Sequence, residues 1–495
     1  MTGSVMEATT RTREDVVLIQ GGMGVGVSNW QLARAVAQAG ERRATADQVL
    51  GVVSGTGAHN LMVNRLQDGD LGGHVQQALT AFPIPSVAEM VLDKYHRDVQ
   101  RPSGSRYKLP PKLTELGNPR SKVRDELISL IVCGNFVEVW LAKQGHRQPI
   151  GVNYLEKIQL PHIFELFGAM LAGVDYVLMG AGIPLQVPSV LDRLANYQPV
   201  TYKLDVSGAT QRHEISFDPG TLMPSGFGGT LKRPAFLAII TSDVLAKVLT
   251  TKASGFVDGF VIEGPLAGGH NAPPRGQPKF NDKGEPIYSE RDAPDLSQLR
   301  QLGRPFWLAG AYATPEKLTE AQGQGACGIQ VGTVFAFCEE SGLQGDLKSD
   351  LRSQAFRGEL AVIADPKASP SGFPFQVAQL AGTLSDSQVY ARRRRICSTG
   401  YLTQPYQTKT GGLGFRCAAE PVSAYLRKGG KLGDTEGRKC ICNALMAAVG
   451  LGLDSKLGVE PPLVTSGRDY SFIHKLMTHD RDTYTAADAV GYLLA

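Results

Sequence analysis

Residues 16 to 40 read VVLIQGGMGVGVSNWQLARAVAQAG. The opening VVLIQ is a short β-branched run, the pattern of a buried strand. GGMGVGVS follows, with glycines at 21, 22, 24 and 26, where the chain can turn tightly and approach a neighbour closely. NWQLARAVAQAG then spaces its apolar residues at helical intervals and stops at Gly40, as a helix does. Strand, glycine turn and helix form one β-α unit.

The unit recurs. Apolar strand patterns are read at 50–57, 149–155, 174–182, 236–242, 257–264, 305–310 and 327–335. Helical patterns follow several of them: HIFELFGAMLAG, DVLAKVLTTKA, and TPEKLTEAQGQG with its proline at the helix start. Strands that alternate with helices predict a parallel sheet. Eight strands are the number that closes a (β/α)8 TIM barrel. Most of these strands end in Gly or Ser at the edge where barrel enzymes gather their sites. The expected organisation is a loose N-terminus at 1–14, the first two barrel strands within 15–60, a helical insertion or cap at 61–148, the rest of the barrel at 149–345, and a mostly helical C-terminal extension at 346–495. Within 183–232, TYKLDVSG and HEISFD alternate as a β-hairpin does.

Composition narrows the function. Of 495 residues 57 are glycine, about 11.5% against a usual ~7%, without a collagen period. The net charge is only +4, which is no nucleic-acid footprint. The dense basic run Arg392 to Arg395 reads as a solvated helix face. The N-terminus has no apolar signal core and no run reaches the ~18 apolar residues of a membrane span. With seven cysteines and no paired spacing, the chain reads as a cytoplasmic protein without disulfides.

Three segments can carry chemistry. GGMG, at the end of the first strand, can lie flat against a planar ligand with Met23 packed beside it. It lacks a full dinucleotide fingerprint. Gly268 and Gly269 leave the backbone bare before His270, a histidine at the barrel rim able to work as acid or base near neutral pH. His59, after the second strand, is a weaker second histidine. Gly310 and Ala311, with Gly332 and Thr333, end the seventh and eighth strands, where barrels bind phosphate on free N–H groups. Cys417, Cys440 and Cys442 lack the paired spacing of a zinc site, so no metal is expected.

Taken together and in order, IQGGMGVGVS, GVNYL, EGPLAGGH, WLAGAYA and GIQVGTVF resemble the nitronate monooxygenase (2-nitropropane dioxygenase-like) family. These are FMN-dependent TIM barrels, and the family includes FMN-dependent enoyl-ACP reductases. The resemblance spans about residues 15–345. It implies FMN, with Gly22 and Met23 beside the ring, Asn153 near the ring or ribityl chain, Gly268 and Gly269 in the binding loop, and Gly310, Ala311, Gly332 and Thr333 around the phosphate. It carries the catalytic role to His270. The implied reaction is oxidation of an alkyl nitronate with O2. The alternatives are NAD(P)H-dependent reduction of an enoyl thioester, with an acyl-carrier partner, and a flavin-binding subunit of a biosynthetic complex. The family allows a homodimer. Three positions depart from its usual pattern: Leu266 stands where Glu precedes AGGH, Ala311-Tyr312 replaces Gly-Ile, and Val334 replaces Arg. The turn at SPSGFPF, residues 369–375, is similar in position to one that closes over the flavin.

Overall fold

The structure is a computed structural model that describes residues 16–43, 48–101, 105–224, 228–452 and 458–495. The loose N-terminus expected at 1–14 lies outside them. Eight parallel strands close on themselves: β1 (Val16–Gln20), β2 (Gln48–Ser54), β3 (Ile150–Leu155), β4 (Tyr176–Gly180), β5 (Ala235–Ile240), β6 (Gly259–Glu263), β7 (Phe306–Ala309) and β8 (Gly328–Val331). Leu18 pairs with Ile329 where the last strand meets the first, so the barrel has no open edge. Each strand matches one read from the sequence to within a few residues at its ends, and β2 and β5 begin earlier than read. The eighth stops at Val331 because Thr333–Ala336 has already turned into helix.

Alternate side chains fill the barrel. Val16, Ile19, Leu50, Val52, Leu178, Leu237, Val261 and Trp307 form the inner cluster. The Trp307 Nε1–H, fully buried, donates to the Val16 carbonyl at 2.7 Å, which satisfies the indole inside an apolar core. The opposite strand faces pack under the helices as a second, larger core.

Two boundaries differ from the sequence reading. Within 61–148, α2 (Ala58–Gln67) and two shorter helices, His74–Thr80 and Pro85–Tyr95, form the excursion. The next helix, α3 (Arg124–Ala142), is the barrel's own crossover between β2 and β3. It packs between α1 (Trp30–Arg42) and α4 (His162–Leu171). Its buried Glu138 accepts the Trp30 N–H at 3.0 Å and so fixes the start of α1. Gly168 of α4 meets α3 so closely that a Cβ there would stand 2.1 Å from the Val132 carbonyl oxygen.

The second difference is at the C-terminus. The outer helix that a barrel needs after β8 is the chain's last one, α6 (Ala486–Leu493), packed between α5 (Pro315–Gly323) and α1. Arg43 donates to the Leu494 carbonyl from the far side of that seam. Residues from 346 to the start of α6 are therefore an insertion between the last strand and its helix. Its helices are short: Gly345–Phe356, Ser387–Arg392, Val422–Arg427, Ile441–Ala448 and Ile473–Leu476. It also holds two antiparallel hairpins, β9 (Val362–Asp365) with β10 (Phe375–Ala378), and Gln404–Gln407 with Leu413–Arg416. Glycines and prolines break the helical pattern, and the segment packs on the barrel mouth. The hairpin read within 183–232 forms between Val200–Lys203 and Glu214–Phe217.

The basic run is a solvated face only at Arg392 and Arg394, which are exposed. The Arg393 side chain is 2% exposed and pairs with the buried Glu460 at 2.7 Å. Arg395 donates to the carbonyls of Ala418 and Thr435. Guanidinium groups spend their fork of donors on buried carbonyls here, a role that spacing alone does not show. Among the described residues no helix is long and apolar enough to cross a membrane.

Candidate active site

A cavity of about 240 Å³ opens at the C-terminal ends of the strands. Every residue expected to bind the cofactor, and His270, lines it: Gly22, Met23, Asn153, Gly268, Gly269, Gly310, Ala311, Gly332 and Thr333. The barrel brings these distant segments together because all of them leave the same rim.

The floor is built from β1 and β3. Ser28 Oγ donates to the Gly21 carbonyl at 3.0 Å and accepts the Met23 N–H at 2.8 Å, which folds the glycine turn back on itself. Gln20 holds Ser28 with its amide nitrogen and the Val52 N–H with its amide oxygen. Asn153 Nδ2 donates to the Gly22 carbonyl at 3.2 Å. A Cβ on Gly22 would lie 2.4 Å from Asn153 Cβ, so the bare backbone is a steric requirement. Asn153 Oδ1 is buried and has no partner among the described residues, and neither has Gln330 Oε1 on β8. Buried acceptors are seldom left unpaired, so both point to a donor that arrives with a ligand.

At the far wall the N–H groups of Gly310, Ala311, Gly332 and Thr333 find no acceptor among the described residues. Gly310 and Ala311 both take positive φ, +90° and +65°, which turns successive amides toward one side as an anion nest requires. The inserted segment completes this wall. Gly467 N–H donates to Thr333 Oγ1 at 2.9 Å, and Thr465 Oγ1 accepts the Gly269 N–H at 2.7 Å.

His270 stands on the opposite side. Its Nε2 pairs with Ser369 Oγ at 2.7 Å, which pairs with Ser371 Oγ at 2.7 Å. Both serines belong to the SPSGFPF turn. Its ring also packs edge-on against Phe375, centroids 4.7 Å apart. Burial lowers the His270 pKa to about 4, so the imidazole is neutral near pH 7. Nδ1 has no partner among the described residues.

Glu263, at the end of β6, also lines the cavity. Burial raises its pKa to about 8, which keeps the carboxyl protonated at neutral pH. The sequence reading noted Glu263 only as part of a motif. Its signal was an acidic residue closing an apolar strand, and Gln330 carries the same kind of signal. Tyr401, Cys442, Thr465, Ser466 and Gly467 line the cavity too. They come from the insertion, and no local pattern assigns them.

His59 does not reach the cavity. It is 1% exposed beneath the rim, beside Asn60 Nδ2 at 3.1 Å, and burial lowers its pKa to about 3. Helix α3 covers it: a Cβ on Gly134 would stand 2.5 Å from His59 Cα. No group of three or more His, Cys, Asp or Glu among the described residues converges on a single metal ion.

No protein-family model and no curated protein matches the chain. Solved structures similar to it include FabK from Thermotoga maritima, at 14% identity over 97% of this chain and 92% of that one, with a TM-score of 0.46. A nitroalkane oxidase from Streptomyces ansochromogenes is similar at 14% identity over 97% and 94%, with a TM-score of 0.43. The enoyl reductase domain of MlnA, from the macrolactin biosynthesis cluster of Bacillus amyloliquefaciens, is similar at 11% identity over 97% and 93%, also at 0.43.

Proposed function

We propose that the protein is an FMN-dependent oxidoreductase. The observation that carries this reading is the set of unpaired groups in one cavity. Four acceptor-free N–H groups at the ends of β7 and β8 suit a phosphate. The flat Gly22 floor and the orphaned oxygens of Asn153 and Gln330 suit a planar ring with N–H donors. Met23 packs beside it. When bound, FMN would supply transfer of one or two electrons between substrate and a second reactant.

The chain's own residues manage the proton and the substrate. Ser371 and Ser369 can pass a hydrogen bond to His270 Nε2, and that tautomer leaves its proton on Nδ1 as a donor. Glu263 adds a second neutral donor. The described residues lining the cavity include no lysine or arginine. A neutral substrate that takes up a proton fits this lining better than an anionic nitronate does. Enoyl-thioester reduction, the alternative in the sequence reading, is therefore favoured here over nitronate oxidation. His270 would give its Nδ1 proton to the substrate carbon while Ser369 and Ser371 relay a solvent proton to Nε2, so the ring stays neutral, and its packing on Phe375 would exclude water.

The purified protein is expected to be yellow and to release FMN on heating. Under nitrogen, NAD(P)H should bleach the flavin and an enoyl thioester should restore it. A colourless protein that binds no added FMN refutes the cofactor. Bleaching by an alkyl nitronate but not by NAD(P)H returns the reaction to nitronate oxidation.

A further inference from the structure

Four of the seven cysteines, Cys397, Cys417, Cys440 and Cys442, meet in the insertion. Hydrogen bonds tie their segments together. Ser398 Oγ donates to Asn443 Oδ1 at 2.8 Å, joining the neighbour of Cys397 to the neighbour of Cys442. Arg395 Nη1 donates to the Ala418 carbonyl at 3.0 Å, joining the first segment to the second. Cys417 and Cys440 share one small buried cluster with Ala419. Each of the four thiols lies in the electrostatic field of the other three.

The remaining three cysteines are apart from this group and show no such convergence. All seven are free thiols. Buried thiols normally behave as small inert hydrophobes, yet polar groups gather around these four. The backbone N–H groups of Gly400, Ala419 and Leu402 reach Cys397, Cys417 and Cys442. Lys112 and the Lys428–Glu420 ion pair lie near Cys397. Asn443, 1% exposed, has an Nδ2 with no acceptor, so a buried donor beside Cys442 awaits a partner. These features gather hydrogen-bond donors around four thiols that lie near one another.

We propose that Cys397, Cys417, Cys440 and Cys442 hold an iron–sulfur cluster. A single zinc ion needs thiolates about 2.3 Å from one point, and these cysteines do not converge so tightly. Tetrathiolate ligation of a multi-iron cluster spreads its cysteines around a larger body. Each thiol gives its proton to solvent as iron binds, and the metal charge offsets the burial of thiolate. The Asn443 amide and the backbone N–H groups donate to cluster or cysteine sulfur, and Lys112 adds positive charge on the Cys397 side. Its place gives it a use. Cys442 lines the main cavity, and Cys397 lines a second, polar cavity of about 470 Å³. A one-electron carrier between the two connects the substrate site to an outer surface.

The test is anaerobic isolation of the full chain, with iron, acid-labile sulfide and FMN measured separately. Iron and sulfide in equal and at least stoichiometric amounts are expected, with a paramagnetic signal after dithionite reduction distinct from a flavin radical. Cys397→Ser and Cys442→Ser should lose iron and sulfide, while Cys327→Ser should keep both. Where the serine variants fail to fold, apoprotein made from the wild type by chelation should take up ferrous iron and sulfide. Stoichiometric zinc without sulfide, a disulfide among the four, or a wild-type chain that takes up no iron when given iron and sulfide overturns the proposal. FMN content is read independently, so loss of either cofactor is not mistaken for loss of the other.

Discussion

His270 is gripped from one side only. Ser369 engages Nε2 and Phe375 packs on the ring, while Nδ1 is left for the cavity. His270→Ala should therefore keep FMN and lose turnover. General acid–base catalysis contributes typically 10²–10⁴-fold, so kcat/KM should fall by about that factor. FMN stoichiometry and steady-state rates check it, and unchanged rates with intact FMN would return His270 to a packing role. Glu263 makes a pH-dependent prediction. Its pKa in the fold is about 8 and its ordinary value 4.5, so the folded state holds a proton that the unfolded state releases between those values. Wild-type stability is then lost as pH rises from 4.5 toward 8. Glu263→Gln removes that dependence. Its melting temperature relative to wild type should be higher at pH 8 than at pH 5, and a difference that does not vary with pH would place an ionised carboxylate at this position.

At the scale of the element, the turn after β1 depends on contact with β3. A Cβ on Gly22 would press on Asn153 Cβ at 2.4 Å and on Val52 Cγ1 at 2.9 Å, both held in the barrel wall. Gly22→Ala should cost about 1–3 kcal/mol, the usual cost of overpacking, and should weaken FMN binding by displacing Asn153. Gly332→Ala is the contrast: its nearest neighbour is the flexible Met23 Sδ at 3.4 Å, so its melting temperature should change less. Thermal unfolding and the FMN dissociation constant of the two variants test the difference. Equal effects would mean that the turn moves freely.

At the scale of the whole molecule, the chain closes its barrel with its own last helix. α6 covers the seam between α5 and α1, and Ala486, Ala489, Val490 and Leu493 are buried there. A chain ending before Ala486 exposes that seam. It should lose cooperative unfolding or melt well below the full chain, as read by calorimetry. A truncated chain with an unchanged transition would make the C-terminal helix an accessory. The insertion between β8 and α6 is bound from both sides: Thr333 and Gly269 hold it at the cavity, and α6 returns it to the wall.

The sequence determined the barrel because burial on both strand faces and amphipathic helices leave a local, repeated pattern. β1 to β8 were legible for that reason, and so was the place of Gly22, His270 and the two glycine turns at strand ends; Asn153 was singled out by the family resemblance alone. What the tertiary structure decided is everything that depends on distant segments meeting. Arrival of the SPSGFPF turn at His270, the 463–470 stretch against Thr333, and α6 as the barrel's final helix are contacts across about a hundred residues or more, with no local period to announce them. The same holds for Arg393, buried against Glu460 although its neighbours are basic and polar, and for the four cysteines. Only the fold places Cys397 near the other three. Periodicity records which face of an element is buried. It carries no record of what an irregular segment packs against, because that is set by the surface it meets and not by its own repeat.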